Sequence, residues 1–206
     1  MSKAPVAVLI SGSGSNLQAL IDAADADDYP AEIVRVISNN ADAFGLKRAE
    51  ESGIDTEVIR HKDFADRDSF DAALHAAILA SGAHYVCLAG FMRILTPGFV
   101  KQWDGRMINI HPSLLPSFKG MHTHEEVLAA GVKIHGCTVH YVVPEMDSGP
   151  IIIQAAVPVM IGDTKETLAA RVLRAEHVIY PLALARLIDP NWKADLVDGN
   201  QVLISL

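Results

Sequence analysis

The chain is poor in the residues on which several protein classes depend. Its 206 residues include only two cysteines, Cys87 and Cys137. They form no CxxC pair, and each sits in an apolar, strand-like stretch. A disulfide scaffold is thereby excluded, and buried, reduced thiols in a cytoplasmic protein are expected. Positive charge is also scarce. Seventeen Lys and Arg face 25 Asp and Glu, a formal net charge of −8, which argues against general nucleic-acid binding, since that needs a basic face to neutralise phosphates. No run approaches the ~20 apolar residues of a membrane span. The N-terminal "MSKAPVAVLISGSGSN" lacks the length and cleavage pattern of a signal peptide. Neither repeats nor low-complexity tracts occur. What remains is a chain with 50% hydrophobic and 20% charged residues, able to build a sizeable core. Its expected partners are small molecules, with no nucleic acid and no membrane, in a monomer or homodimer. A phosphorylated ligand stays compatible with the acidic balance, because backbone N–H groups hold phosphate without basic side chains.

Apolar periodicity divides the chain in steps of roughly 30 residues. Val6 to Ile10 reads as a buried strand, "SGSGSN" as a turn, and Leu17, Leu20, Ile21 and Ala24 recur at helical spacing. Strands at "AEIVRVIS", "DTEVIRH" and "HYVCLAG" alternate with helices at "AFGLKRAEESG", ended by Gly53, and "DRDSFDAALHAAILASG", ended by Gly82. This alternation predicts an α/β fold, a mostly parallel sheet with helices on both faces. A mixed C-terminal part is expected to extend it. A turn at Pro97 precedes a short helix, "RMINIHP" is a strand, and "HEEVLAAG" is a helix capped by Thr123. Strands "GCTVHYVV" and "PIIIQAAVPV" follow, then a long helix capped by Asp163 or Thr164 and kinked at Pro181. A hairpin turned at Asp198–Gly199 ends the chain. No linker composition appears, so residues 1–206 are expected to form one domain, with a soft division into halves 1–100 and 101–206.

The turn "LISGSGSNL" follows a strand and opens a helix, which is where an anion is held. It is not a dinucleotide fingerprint. Gly12 and Gly14 fit G-x-G-x-x-G, but position 17 is Leu, and the second strand ends "SNN" without an acidic residue for a ribose diol. It is not a Walker loop either, since no Gly-Lys-Ser/Thr follows. Two readings stay open: a phosphate cradle from Gly14, Ser15 and Asn16, or a plain turn with Ser or Asn as helix N-cap.

A polar pair interrupts the apolar strand "MINIHPSLLPSF". Residues two apart on a strand share a face, so Asn109 and His111 project together, and Pro112 keeps the backbone extended. An Asn amide can donate to a developing oxyanion, and an imidazole can carry a proton at neutral pH. Asp147, in the turn "VPEMDSGPI", adds a carboxylate that would favour the protonated ring. Asn, His and Asp without a Ser or Cys nucleophile point to direct transfer rather than a covalent intermediate. His140 shares a strand face with Thr138 and could line the same cleft. His122 and His124 form an H-x-H without a third ligand at convincing spacing, so no metal is expected. His61, His75, His84, His135 and His177 read as structural or surface residues.

Taken together, "ISGSGSNLQALI", "SNNADAFGLKRAEESGI", "LAGFMRIL", "NIHPSLLP", "HTHEEVLAAG", "GCTVHYV", "DSGPIIIQ" and "EHVIYP" closely resemble the folate-dependent phosphoribosylglycinamide formyltransferases of purine synthesis, from about residue 6 to 190. The resemblance implies the formyltransferase fold. It also implies transfer of a formyl group from 10-formyltetrahydrofolate, a co-substrate, to the amine of 5'-phosphoribosylglycinamide, with no metal. By position, Asn109, His111 and Asp147 would be the catalytic trio, with Asp147 also ordering a water for proton relay. Gly14, Ser15 and Asn16 would hold the substrate phosphate, and Glu176 the ribose hydroxyls. Met92, Arg93, Ile94 and Leu95, with Val143, Pro144, Glu145, Met146 and Asp147, would line the pterin slot. Arg67 would meet the benzoyl-glutamate end. Without the resemblance, Met92, Ile94 and Leu95 read as ordinary core. Two positions depart from the family pattern: Lys119, where proline is frequent, and Leu173, where some members have a polar residue.

Two rival functions share these residues. A formyltetrahydrofolate hydrolase would replace the amine by water, and is expected to carry a regulatory domain ahead of the first strand. A non-catalytic folate- or nucleotide-binding regulator would keep the cradle and lose the trio, which is intact here.

Overall fold

The computed structural model describes residues 2–192 and 203–205. In chain order the elements are β1 (Ala4–Ile10), α1 (Ser15–Ala24), β2 (Ala31–Ser38), α2 (Phe44–Glu51), β3 (Thr56–Val58), α3 (Arg67–Ala80), β4 (Tyr85–Leu88) and α4 (Pro97–Gln102). After these come β5 (Met107–His111), α5 (Thr123–Ala130), β6 (Ile134–Tyr141), β7 (Ile151–Pro158), α6 (Lys165–Ile188) and β8 (Leu203–Ser205). The strands form one sheet in the order β3-β2-β1-β4-β5-β6-β7-β8. Pairing is parallel from β3 to β5 and antiparallel from β5 to β8. The division near residue 100 passes between β4 and β5, which are hydrogen-bonded neighbours.

Alternation along β1 explains the layering. Val6, Val8 and Ile10 face one core with Leu17 and Leu20 of α1 and Val172, Ile179 and Tyr180 of α6. Ala7 and Leu9 face a second core with Phe70, Leu74 and Ile78 of α3 and Phe99 of α4. Tyr180 is fully buried, yet its hydroxyl donates to the carbonyls of Leu88, at 2.9 Å, and Ile108, at 3.3 Å. It thereby satisfies its polar tip and ties α6 to the middle of the sheet.

Helix starts differ from the sequence reading at three places, and at a fourth the structure selects one of the two caps expected. α1 is capped by Gly14 in the left-handed region, at φ 69°, rather than by a Ser or Asn side chain. Pro97 is the first helical residue of α4 rather than a turn, where its missing N–H is harmless. Thr123 does not cap α5. His122 holds that position, and Thr123 is buried in the first turn, as is Val127 one turn on. For α6, Thr164 is the cap and exchanges hydrogen bonds with Thr167. Asp163 is diverted to Arg171, whose two Nη atoms donate to its carboxylate at 2.7 and 2.9 Å. α6 continues through Pro181 to Ile188. The turn expected at Asp198–Gly199 lies outside the described residues.

Candidate active site

Antiparallel pairing of β5 with β6 builds the centre of the site. Its register sets Asn109 opposite His140 and His111 opposite Thr138. Asp147 reaches them from the turn between β6 and β7. Its Oδ2 lies 3.5 Å from His111 Nδ1, and its Oδ1 lies 3.9 Å from His140 Nε2. The Gly120 N–H donates to Asp147 Oδ2 at 3.0 Å. The other ring nitrogen of His111, Nε2, lies 3.0 Å from the Phe118 carbonyl. Both ring nitrogens of buried His111 therefore face acceptors, and the doubly protonated ring is the form that donates to both. Phe118 and Asp147 are the non-glycine residues with positive φ among those described, at 54° and 51°. This conformation is unfavourable for a residue like Phe. It turns one carbonyl and one carboxylate onto the same imidazole.

The sequence placed His140 in the cleft without giving it a role, and the tertiary structure supplies one. Nδ1 lies 2.8 Å from the Tyr141 carbonyl. A carbonyl only accepts, so Nδ1 carries the proton. Burial also holds the His140 pKa below its ordinary value, keeping the ring neutral. Nε2 is then a lone pair, and it accepts from Asn109 Nδ2 at 3.3 Å. The orientation of the Asn109 amide is thereby fixed, and its second N–H has no protein partner among the described residues. Period-two alternation was enough to place His140 in the cleft, because its strand face was legible. The register that pairs it with Asn109 was not.

The loop after His111 is pinned through Thr138. Its hydroxyl donates to the Ser113 carbonyl at 2.7 Å and accepts from the Leu115 N–H and the Gln154 amide. Across the loops, Lys119 Nζ donates to Ser148 Oγ at 2.6 Å. The departure from proline at 119 thus adds a bridge between the two loops that reach His111.

The glycine turn lies at the mouth of a pocket of about 210 Å³ lined by residues 11–16 with Ala89, Gly90 and Met92. Asn16 Nδ2 donates to Glu176 Oε2 at 2.7 Å, joining the turn to α6. Glu176 is buried, which raises its pKa, and the Asn16 hydrogen bond partly offsets the shift. Asn16 Oδ1 is buried without a partner. Ser11 links this turn to the segment after β4: its hydroxyl accepts from the Met92 N–H and donates to Asn39 Oδ1, both at 2.7 Å. Asn39 is thereby used internally, at the strand end where a dinucleotide-binding protein would present a carboxylate.

The residues assigned to the pterin slot divide. Met92, Ile94 and Met146 are exposed large apolar side chains at the strand ends, contrary to the ordinary-core reading of Met92 and Ile94. The Leu95 side chain instead follows the ordinary-core reading. It is buried in the core shared with Phe70 and Phe99, because the chain turns inward there to start α4. The Arg93 guanidinium lies 6.0 Å from the Phe70 ring centroid. Val143 is half-buried, and Pro144 and Glu145 are exposed. Arg67 is exposed at the start of α3, and no hydrogen bond or ion pair connects it to the trio.

The H-x-H pair does not converge on a third ligand. His122 lies 2.9 Å from Glu125, while His124 Nδ1 lies 3.1 Å from His135 Nε2. No group of three or more His, Cys, Asp or Glu that could hold a metal occurs among the described residues. His135 is buried, against the surface alternative, and desolvation pushes its pKa down to about 4. The unfolded chain therefore binds a proton near pH 6.5 that the folded chain takes up only near 4. The contribution of His135 to stability is thus fully present above about 6.5 and is lost as pH drops toward 4. Urea midpoints measured across that window are expected to decline, and His135→Gln is expected to flatten the decline.

Comparison with known proteins places this geometry among relatives. A family model described as formyl transferase matches residues 4–184. Phosphoribosylglycinamide formyltransferase of Escherichia coli K12 is 47% identical over 96% of this chain and 95% of its own length. The trifunctional purine biosynthetic protein adenosine-3 of Bos taurus is 58% identical over 88% of this chain, which spans only 18% of that longer protein. The crystal structure of phosphoribosylglycinamide formyltransferase from Brucella melitensis superposes with a TM-score of 0.88 at 53% identity, covering 91% of this chain and 97% of that one. No described helix is long and apolar enough to cross a membrane.

Proposed function

The chain belongs to the phosphoribosylglycinamide formyltransferase family, and from that premise we propose that it transfers a formyl group from 10-formyltetrahydrofolate to the amine of 5'-phosphoribosylglycinamide in purine synthesis. The observation that carries this reading is the convergence of Asn109, His111 and Asp147 at the junction of β5, β6 and the turn at 147. The folate supplies a formyl carbon bonded to an amine nitrogen. The remaining work falls to side chains of this chain.

Asn109 keeps one N–H for the oxygen that becomes negative as the substrate amine attacks, and His140 holds the amide so that this hydrogen stays in place. Protonated His111 adds a second donor to that oxygen, once an N–H is released from its loop acceptor. It then passes its proton toward the departing folate nitrogen, while the attacking amine loses one. Asp147 orients the ring and stabilises its charge. It also orders a water that relays the proton. The reading needs no covalent enzyme intermediate, and the trio contains no nucleophile suited to one.

Gly14, Ser15 and Asn16 hold the ribonucleotide phosphate on backbone N–H groups at the start of α1. Glu176, held by Asn16 at 2.7 Å, takes the ribose hydroxyls. Exposed Met92, Ile94 and Met146 cover the pterin faces, and the backbone at 92–95 and 143–147 reads its edge. Arg67 meets the benzoyl-glutamate carboxylates from the start of α3. A single domain over residues 1–206 is part of the proposal, supported by one sheet that runs through both halves.

The test follows deformylation of 10-formyltetrahydrofolate spectrophotometrically, with and without the ribonucleotide. Turnover that requires the ribonucleotide is expected. Equal turnover without it would replace the transferase by a hydrolase and withdraw the phosphate assignment. Folate binding without turnover in either case would favour a non-catalytic regulator.

A further inference from the structure

We infer that Arg48 and Gly45 of α2 orient the peptides of the phosphate loop, making Arg48 a positioning residue for the ribonucleotide. The inference rests on the proposal that this loop cradles a phosphate.

Two consecutive carbonyls of the loop are held by α2. The Gly45 N–H donates to the Gly12 carbonyl at 3.0 Å, and Arg48 Nε donates to the Ser13 carbonyl at 2.9 Å. Both peptides are trans, so the N–H of each points opposite to its C=O. With the oxygens turned to α2, the N–H groups of Ser13 and Gly14 are turned away from it. No hydrogen bond among the described residues uses either N–H. The next carbonyl, of Gly14, accepts from the Gln18 N–H within the first turn of α1, which directs the Ser15 N–H outward. The pocket lined by residues 11–16 contains no residue of α2, so these N–H groups face the pocket side. α2 therefore sets the cradle without touching its contents.

The contacts of Arg48 match this role. Nη1 donates to Gln18 Oε1 at 3.2 Å, and the guanidinium carbon lies 4.9 Å from the Phe44 ring centroid. A planar group is thus held by two acceptors and a ring, which also accounts for the exposed Phe44. The close approach of α2 to the loop explains the glycines. A Cβ on Gly45 would lie 2.6 Å from Ile10 Cδ1, and one on Gly14 would lie 2.5 Å from Gly45 Cα.

The experiment compares Arg48→Met and Arg48→Lys with the unaltered full chain. Arg48→Met is expected to raise the ribonucleotide KM at least about tenfold, the scale of one hydrogen bond from a charged donor, while the folate KM is unchanged. Arg48→Lys keeps the charge but lacks the Nε donor and the plane, and is expected to stay impaired. An unchanged ribonucleotide KM in Arg48→Met, or full recovery in Arg48→Lys, overturns the inference. An equal rise in the folate KM overturns it too, because the effect would then be general.

Amide NMR of the ligand-free protein, titrated with inorganic phosphate, supplies a readout independent of turnover. The Ser13, Gly14 and Ser15 amides are expected to move with phosphate in the unaltered chain and to lose that response in Arg48→Met. Unresponsive amides in the unaltered chain, or a response preserved in Arg48→Met, overturn the inference. Failure of ribonucleotide-dependent turnover in the unaltered chain overturns the proposed reaction instead, and the phosphate titration still decides the role of Arg48.

Discussion

Replacing His111 with alanine is expected to lower kcat by about 10²–10⁴-fold, the usual range for a positioned acid–base group, while the ribonucleotide still binds. The split follows from the layout. His111 lies on β5 with its nitrogens on Phe118 and Asp147, whereas the proposed phosphate contacts lie on the turn into α1. Removing the imidazole leaves the Phe118 carbonyl and Asp147 Oδ2 without that partner, although Asp147 Oδ2 keeps the Gly120 N–H. The Gly14–Asn16 turn and its bond to Glu176 are untouched. Single-turnover rates and ribonucleotide titration on the same variant check both halves. Near-normal turnover would remove His111 from proton transfer, and lost binding would mean that the variant disturbs more than the ring.

Gly149→Ala is expected to damage both stability and turnover, although Gly149 carries no functional group. A Cβ there would lie 1.7 Å from the Tyr141 carbonyl oxygen and 2.8 Å from its carbon. Both are backbone atoms in the β6 end of the hairpin, where the Tyr141 N–H also donates to Pro150. The hairpin must open to admit a methyl group. Overpacking of this kind costs about 1–3 kcal/mol. The same carbonyl accepts the His140 Nδ1 proton. Its displacement frees the His140 tautomer, and the Asn109 amide loses its orientation. Asp147, two residues before Gly149, shifts with the turn. A misplacement of ~1 Å at a reacting centre can cost about 10²-fold in rate. Urea unfolding and kcat, measured against Gly98→Ala, test this. Gly98 has only Thr96 Oγ1 near its would-be Cβ, at 3.9 Å, so that variant is expected to be close to neutral.

Several features were legible from local chemistry. The strand–helix alternation up to residue 90 follows from apolar spacing, and the structure has those elements in that order. Asn109 and His111 were readable as a pair because strand side chains alternate. The end of α2 was readable because Gly53 takes positive φ without strain. Caps were less legible, because Thr123, Asp163 and Thr164 are all competent cap residues. Burial took Thr123 inward, and Arg171 took Asp163. Leu95 and Met92 were indistinguishable as apolar residues three apart. Only the inward turn before α4 made one of them core and left the other exposed.

By itself the sequence determined which chemistry the chain can carry. It has an amide and an imidazole two residues apart on one strand, a carboxylate in a later turn, a glycine-rich turn between a strand and a helix, and a net charge of −8. These are properties of residue type and short-range spacing, which survive in an unfolded chain. The tertiary structure decided how those groups are presented. The β5–β6 register paired Asn109 with His140, the turn after β6 brought Asp147 to His111, and α2 turned the loop carbonyls through Gly45 and Arg48. Each of the last two joins residues about 35 positions apart along the chain, and the first joins residues 31 positions apart. Such contacts depend on strand register and helix packing, and no local propensity encodes either.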